Sequence, residues 1–513
     1  MVAVPRPTHL RPTPLADLAA LLGTPLDAPA EQIDVFGVTL MSSDVRPGDL
    51  FSALPGANTH GIRFAAAAVQ AGAVAILTDP QGAAARAVPS GTPVLVVPDP
   101  RAVLGRVCAV VYGDPSRRLS VLGVTGTNGK TTTSYLLEAA LGSAGRMAGL
   151  IGTIETRMQT VGGPVAVPAH RTTPEAPDLQ ATLALMAEHG VEAVAMEVSS
   201  HALALDRVAG TAFEVAAFTN LSQDHLDFHG DLEAYFRAKA LLFDGRAKHE
   251  VVMVDDSWGV RLVGPDTITV SPAGNTAAQW HSSGVTVAGS RTSFVALGPA
   301  GRSVPVTLSL PGGFNVANAM VALAILDCIG VDLELAATGL GTARVPGRME
   351  VVDAGQPFTA LVDYAHTPAA VSNLLAALRP QTAGAVILVL GCGGDRDTGK
   401  RSLMGEVAAR GSDVLIITDD NPRSEDPAAI RASMRAGALG VGGAQRGEVI
   451  EVDGRADAIA TAVDRARPGD SVVIAGKGHE QGQEIDGVVT PFDDRAVLLE
   501  TLARHGWNGG TGS

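Results

Sequence analysis

Short apolar runs alternate with stretches of helical period along almost the whole chain, and that alternation predicts α/β architecture with mostly parallel sheets. Ala73–Leu77 and Val94–Val97 read as strands early on; Leu119–Val124, Val191–Val198 and Val215–Thr219 follow in the middle. Ala360–Asp363, Ala385–Gly391, Val414–Thr418 and Val472–Ala475 come later, each leading at once into a loop rich in Gly, Asp, His or Arg. Pro and Gly punctuate two candidate linkers, Gly113-Asp114-Pro115-Ser116 and Arg344-Val345-Pro346-Gly347-Arg348. The 513 residues therefore divide into three expected domains, 1–112, 113–344 and 345–513. Nearly every chemically capable cluster sits just beyond the carboxyl end of an expected strand, where open parallel sheets bind ligands. Three segments doing this suggest one composite active site between domains.

Composition narrows the class. Aromatic residues make up only 4% of the chain, so Val, Ala, Leu and Ile must fill the cores. No apolar run approaches the roughly 20 residues that span a bilayer, and Met1 to Pro14 lacks the apolar stretch of a secretory signal. A cytoplasmic protein without a membrane span is expected, with a monomer as the default. The formal net charge of −15, without a basic tract, argues against a nucleic-acid partner, although loops and helix ends bind phosphate whatever the net charge. Cys108, Cys328 and Cys392 lie far apart with no CxxC spacing, so they read as core or loop thiols in a reducing compartment.

The most specific local signal follows Leu119–Val124: Thr125-Gly126-Thr127-Asn128-Gly129-Lys130-Thr131-Thr132-Thr133, then the helical pattern Ser134–Leu141. Glycines let the backbone turn its N–H groups toward a phosphate, and the following helix terminus adds a favourable field. Lys130 is placed to reach the β- and γ-phosphates of ATP, and the Thr131 hydroxyl to ligate Mg²⁺. The general P-loop pattern asks for Gly where Val124 stands, so the match to the broad motif is incomplete.

The variant Gly-Thr-Asn-Gly-Lys-Thr resembles the phosphate loop of the Mur ligases and folylpolyglutamate synthetases. Further motifs resemble the Mur ligases: Thr172-Thr173-Pro174, Glu197-Val198-Ser199-Ser200-His201, Asp224-His225-Leu226-Asp227 and Tyr235-Phe236-Arg237-Ala238-Lys239-Ala240, then Asp363-Tyr364-Ala365-His366, Gly393-Gly394-Asp395-Arg396, Asp420-Asn421-Pro422-Arg423 and Gly476-Lys477-Gly478-His479-Glu480. The resemblance, over roughly residues 33 to 500, implies an ATP-dependent ligase of peptidoglycan precursor synthesis. Its three domains would be a smaller N-terminal α/β domain for UDP-MurNAc, a central P-loop-type ATPase domain and a C-terminal Rossmann-like domain for the amino acid.

Roles follow by position. Glu197 ends a buried strand, where a carboxylate is costly unless it meets a cation or donor; opposite Thr131 it would ligate Mg²⁺. The His matching His225 helps hold a second metal in the family, with a structural His–Asp pair as the ordinary alternative; His229 reads as structural. Lys239 alone would pass for a solvated helix lysine, but the matching lysine is carbamylated in the family, which turns a cation into a hard oxygen ligand for Mg²⁺. Gly126 through Thr132, with Asn315, Asn318, Arg348, Asp363 and His366, match positions around ATP. Met41 and Ser43 match uridine contacts, and Gly56–Gly61 resembles the neighbouring pyrophosphate-side loop, with His60 where the family usually has Asp. Thr172, Thr173, Ser199 and Arg207 match contacts to the UDP-MurNAc-L-Ala-D-Glu substrate, although turn capping also explains such short Ser/Thr runs.

Arg396, Asp420, Asn421, Pro422, Arg423, Gly476 and Glu480 would select the incoming amino acid. Meso-diaminopimelate resembles lysine with an extra carboxylate and a second amino centre. A planar, permanently cationic fork reads that carboxylate bidentately, which points to Arg423, with Glu480 for the adjacent ammonium. The competing structural reading for Arg423 is an ion pair with Glu425 or Asp426. Arg344–Arg348 is the expected hinge between the ATP and amino-acid domains.

Overall fold

The computed structural model describes residues 6–56, 58–288 and 291–507. Three sheets carry the architecture. The first has four parallel strands in chain order, Gly37–Thr39, Asp49–Ala53, Ala75–Thr78 and Val94–Val96. Helix Pro100–Val111, started by Asp99 accepting from the Arg101 and Ala102 N–H groups, packs on it. Ala176, Ala181 and Ala184 of helix Ala176–Glu188 join the same core, so a helix of the middle segment covers part of the first sheet.

The central sheet has eleven strands, with Ser120–Thr125 between Ala193–Glu197 and Phe213–Phe218, all parallel. Its middle strands are buried on both faces and read as unbroken apolar runs, as expected of a parallel sheet covered by helices. Helices Lys130–Ser143 and Gly313–Cys328 lie on one face and share its main core. Both ends of this sheet depart from the sequence reading. Glu155–Thr160 and Gly163–Pro168 form an antiparallel hairpin at one edge, and Trp280–Ala288, Arg291–Leu297 and Ser303–Leu308 form an antiparallel meander at the other. Ser303–Leu308 alternates strictly between exposed and buried positions, so it lacks the continuous apolar run that marks the parallel strands.

The third sheet runs Glu350–Val351, Thr359–Asp363, Ser471–Ala475, Val386–Leu390, Val414–Ile417 and Glu448–Glu451, parallel except at the first edge. The last strand in sequence thus inserts between the first two long ones, which brings the loops after Asp363, Leu390, Ile417 and Ala475 to one edge. A separate hairpin, Gly482–Ile485 with Val488–Pro491, stands beside them. No helix among the described residues is long and apolar enough to cross a membrane.

Candidate functional site

Strand Ser120–Thr125 delivers the chain into a loop whose glycines are required by geometry. Gly126 has φ 144° and Gly129 φ 93°, conformations that side chains other than glycine rarely adopt. A methyl group on Gly126 would run into Thr219 Oγ1, and one on Gly129 into Asn318 Oδ1. The segment after Phe218 braces the loop: Thr127 N donates to Asn220 O (2.8 Å), Asn128 N to Asn220 Oδ1 (3.0 Å), and Thr127 Oγ1 to Ser222 O (3.2 Å). Lys130 folds over the loop and donates to Gly126 O (2.8 Å) and Thr127 O (2.9 Å). Burial lowers its pKa, while Glu197 and Asp224 pull the other way.

Glu197, 1% exposed at its strand end, has a full set of donors. Thr131 Oγ1 gives 2.9 Å, Thr153 N 2.8 Å and Thr153 Oγ1 2.9 Å. Thr153 is a site residue that the sequence does not announce: a lone Thr after a glycine carries no motif. Lys239 is also 1% exposed; its Nζ donates to Gly126 O (2.7 Å) and lies 4.4 Å from the centre of the Tyr235 ring. Burial drives its pKa well down and the Lys130 charge adds to the effect, so the neutral amine is favoured. His225 sits at φ 54° with Nε2 3.4 Å from Asp224 Oδ2 and its ring edge-on to His201. Desolvation of the ring lowers its pKa to about 3 against the attraction of Asp224, so the imidazole is neutral near pH 7. His229 Nε2 lies 2.9 Å from Ser200 Oγ. Lys130, Thr131, Thr132, Glu197, Ser199, His225 and Lys239 line one cavity of about 170 Å³. Among the described residues, no group of three or more His, Cys, Asp or Glu side chains is arranged to hold a metal ion.

A second cavity, about 320 Å³, adjoins the loop and is lined by Asn128, Gly129, Thr132, Asn315, Asn318, Arg348, Asp363 and His366 together with apolar Phe314 and Leu374. Asn315 Nδ2 donates to Pro311 O (2.8 Å) and Asn318 Nδ2 to Asn315 Oδ1 (3.1 Å), so these amides also fix the start of their helix. The Arg348 guanidinium stacks 4.2 Å from the centre of the Tyr364 ring and reaches back to Thr131 Oγ1 at 3.3 Å. Asp363 turns inward and accepts from the Met349 (2.7 Å) and Ala365 (2.8 Å) N–H groups.

The third cavity, about 990 Å³ and the largest of these three, is lined by Arg396, Asp420, Asn421, Arg423, Gly476 and Glu480 together with Thr172. Pro422 is buried and is not among the lining residues. Arg423 takes φ 53°; its backbone is pinned by its own N–H to Glu484 O (2.9 Å) and by Asp486 N–H to its carbonyl (2.7 Å). Its Nη1 donates to Gly394 O (2.7 Å), and its carboxylate partner is Glu484, at 3.4 Å. Neither Glu425 nor Asp426 takes that place: Glu425 pairs with Arg401, and Asp426 caps helix Pro427–Gly440. Glu480 accepts from Asn421 Nδ2 (2.9 Å) and Lys477 Nζ (3.2 Å).

Other expected substrate contacts are engaged within the fold or lie outside the cavities. Thr173 Oγ1 donates to Glu197 O (2.9 Å), Ser199 caps helix Ser200–Ala204, and Arg207 pairs with Glu175 (2.9 Å); capping and positioning therefore occupy these groups. Met41 and Ser43 are exposed and outside the three cavities. In the Gly56–Gly61 loop, Ala57 lies outside the described residues; His60 caps the turn at Ile62 and reaches Asp79 Oδ1 (2.9 Å).

Thr153, Thr172, Asp224, His225, Tyr364 and His366 line both the loop cavity and the large one. Asp224 crosses between sheets toward His366 (3.8 Å) and Lys400 (4.0 Å), and Gln223 Nε2 donates to Asp397 Oδ2 (3.1 Å). The Lys130 and Arg423 regions therefore open toward each other through a common wall.

Three domain descriptions match in series: "Mur ligase family, catalytic domain" over residues 34–112, "Mur ligase middle domain" over 124–326 and "Mur ligase, glutamate ligase domain" over 347–478. A Streptomyces avermitilis protein named UDP-N-acetylmuramoyl-L-alanyl-D-glutamate--2,6-diaminopimelate ligase is 52% identical over 97% of this chain and 98% of its own. One of the same name from Corynebacterium glutamicum is 51% identical over 94% and 95%. A solved structure carrying that name superposes with a TM-score of 0.66 at 32% identity, covering 97% of this chain and 100% of the other. Kinship this close, end to end and across all three sheets, makes this chain a member of the Mur ligase family.

Proposed function

We propose that this Mur ligase joins meso-diaminopimelate to UDP-MurNAc-L-Ala-D-Glu at the expense of ATP, in peptidoglycan precursor synthesis in the cytoplasm. The carrying observation is the shared wall between the phosphate-loop cavity and the cavity of Arg423. One side suits a nucleotide triphosphate and the other an amino acid with an extra carboxylate, and a ligase needs both within reach of one carbonyl carbon. The names of the close relatives support the same substrates.

A carboxylate is too poor an electrophile for attack by an amine, so it must first be phosphorylated. The D-Glu side-chain carboxylate attacks the γ-phosphorus in line, forming an acyl–phosphate bond and releasing ADP. The free amine of diaminopimelate then attacks the acyl carbon, and phosphate departs with the electrons of the broken C–O bond. The enzyme's share is positioning and charge neutralisation. Lys130 exchanges the carbonyls of Gly126 and Thr127 for phosphate oxygens, and Arg348 lies across Thr131 from the same loop.

Mg²⁺ typically binds through one or two carboxylates plus substrate phosphates and water rather than in an all-protein cage. The donor set here fits that habit: Thr131 and Glu197 bond to each other on the cavity wall, and no protein-only cluster surrounds them among the described residues. Thr131 and Glu197 would hold the ion with ATP, and neutral His225 with carbamylated Lys239 a second one. Bound there, the metal supplies electrostatic neutralisation of the phosphate oxygens. Burial, which pushes the Lys239 pKa down, favours the free amine that carbamylation uses, in which nitrogen bonds to CO₂ and releases a proton.

Phosphate release measured with ATP and UDP-MurNAc-L-Ala-D-Glu, with and without meso-diaminopimelate, tests the reading. Release should depend on the amino acid, and a panel of amino acids should favour diaminopimelate over lysine. Release indifferent to any amino acid would reject a ligase.

A further inference from the structure

Four lysines stand in or against this site, and three have hydrogen-bond acceptors. Lys130 and Lys239 hold carbonyls of the phosphate loop, and Lys477 Nζ donates to Asn421 Oδ1 (3.1 Å) and Glu480 Oε2 (3.2 Å). Lys400 differs. It is 8% exposed, it lines the large cavity, and among the described residues no acceptor lies within hydrogen-bonding distance of its ammonium. Among the described residues the one carboxylate within 4.0 Å is Asp224, whose Oδ1 lies 4.0 Å away across the boundary between the second and third sheets.

The local fold makes this placement unfavourable in the absence of an anion. Lys400 is the first residue of helix Lys400–Gly411, whose preceding residue, Gly399, offers no capping side chain. A cation at a helix amino terminus opposes the helix dipole. The nearby acid of its own loop is committed elsewhere: Asp397 accepts from Gly399 N (2.9 Å) and Gln223 Nε2 (3.1 Å). That second bond clips the loop to the segment carrying Asp224 and His225, residues on the wall common to the phosphate and amino-acid cavities. A buried cation with no hydrogen-bond acceptor therefore faces the place where a phosphorylated carboxylate and an amine must meet.

The geometry points to Lys400 as a further catalytic residue of this ligase, whose ammonium binds the phosphoryl oxygens of the acyl phosphate and of the phosphate it releases. The assignment rests on the ligase reading above. In the step concerned the free amine forms a C–N bond to the acyl carbon, and the carbonyl electron pair moves onto oxygen. That pair then returns as the C–O bond to phosphorus breaks, and the bonding electrons leave with phosphate. The surplus proton on nitrogen passes to solvent, and Lys400 keeps its own proton throughout.

The test compares full-length wild type with K400M, K400Q and K400R. For each, initial rates of tripeptide formation give kcat and the KM of every substrate, and a thermal melt checks the fold. K400M should keep its melting midpoint and change the KM for ATP and diaminopimelate by less than about threefold, while kcat falls about 100-fold, the scale of losing one donor to a developing negative charge. K400R should recover at least about tenfold of that loss, since a guanidinium still meets phosphate oxygens. If K400M melts early, K400Q supplies the neutral comparison. A kcat within about threefold of wild type in a folded neutral variant, or a K400R no better than K400M, overturns the assignment. A wild type that forms no tripeptide removes the ligase reading itself, a distinct failure.

Discussion

Truncating Arg423 isolates amino-acid selection from nucleotide chemistry, because the two lie in adjoining but separate cavities. In the proposed reading, R423A removes a bidentate, charge-assisted contact to the distal carboxylate of the incoming diaminopimelate. Each such bond contributes about 1.5–3 kcal/mol, which gives roughly 3–6 kcal/mol before correction. The free enzyme also loses something. Arg423 donates to Gly394 O at 2.7 Å and pairs with Glu484 at 3.4 Å. Substrate binding already disturbs that partly exposed pair, which is worth at most about 1 kcal/mol, and the variant leaves Glu484 unpaired near the substrate's carboxylate. A net loss of about 2–5 kcal/mol remains, or roughly 30- to 5000-fold in kcat/KM at 1.36 kcal/mol per factor of ten. Initial rates of phosphate release against diaminopimelate concentration measure it, with ATP varied separately. The KM for ATP should stay within about threefold, because Arg423 touches no part of the loop cavity. R423K should fall between, keeping charge but losing the planar fork. Equal weakening of ATP and diaminopimelate, or an unchanged preference for diaminopimelate over lysine, would refute the assignment.

Other expectations follow from single contacts. G129A forces a side chain into φ 93° against Asn318 and should weaken ATP binding at least about tenfold, read by nucleotide titration; an ATP affinity unchanged in G129A would argue against the loop geometry. Chelation of divalent cations should abolish phosphate release without moving the melting midpoint, since no protein-only metal cluster exists among the described residues; a large drop in midpoint would reveal a structural ion. K239A should lose activity together with any response to added bicarbonate; an active K239A would exclude a role for the carbamate. Asp178 offers a pH test: burial, with the Glu175 charge, raises its pKa to about 6, above the unfolded value of about 3.9. The folded state then holds that proton more tightly, so a stability cost is absent below about pH 4, accumulates up to about pH 6 and is complete above it. D178N should therefore raise the melting midpoint at pH 7.5, by the equivalent of about 1–2 kcal/mol after discounting for partial exposure and the helix terminus, and much less at pH 4.5. A gain independent of pH would contradict this.

Legibility in the sequence followed the range over which each structural cause acts. The phosphate loop was readable because strand, Gly126, Gly129, Lys130 and helix lie within one short stretch, and their backbone geometry admits few other residues. Parallel strands were readable because burial on both faces leaves an unbroken apolar run, as in Val386–Leu390. The edge strands Ser303–Leu308 and Gly163–Pro168 were not: the first buries only alternate residues, and the second, bounded by Gly and Pro, buries none. Thr153 escaped notice because its role depends on two strands meeting at Glu197. The competing ion pair for Arg423 was framed with Glu425 or Asp426, neighbours in sequence, whereas a hairpin some 60 residues later presents Glu484. Met41 and Ser43, matched by resemblance alone, lie apart from the three cavities, so their contact with a uridine stays a proposal that substrate binding to M41A and S43A can test.

In the proposed mechanism the carboxylate of the acceptor peptide becomes an acyl phosphate before the amine arrives. The most direct test of this step uses UDP-MurNAc-L-Ala-D-Glu labelled with ¹⁸O in the D-Glu side-chain carboxylate, turned over with ATP and meso-diaminopimelate, with mass analysis of the phosphate released. One labelled oxygen should appear in the phosphate for each amide bond formed. Unlabelled phosphate, with amide product accumulating, would contradict the mechanism.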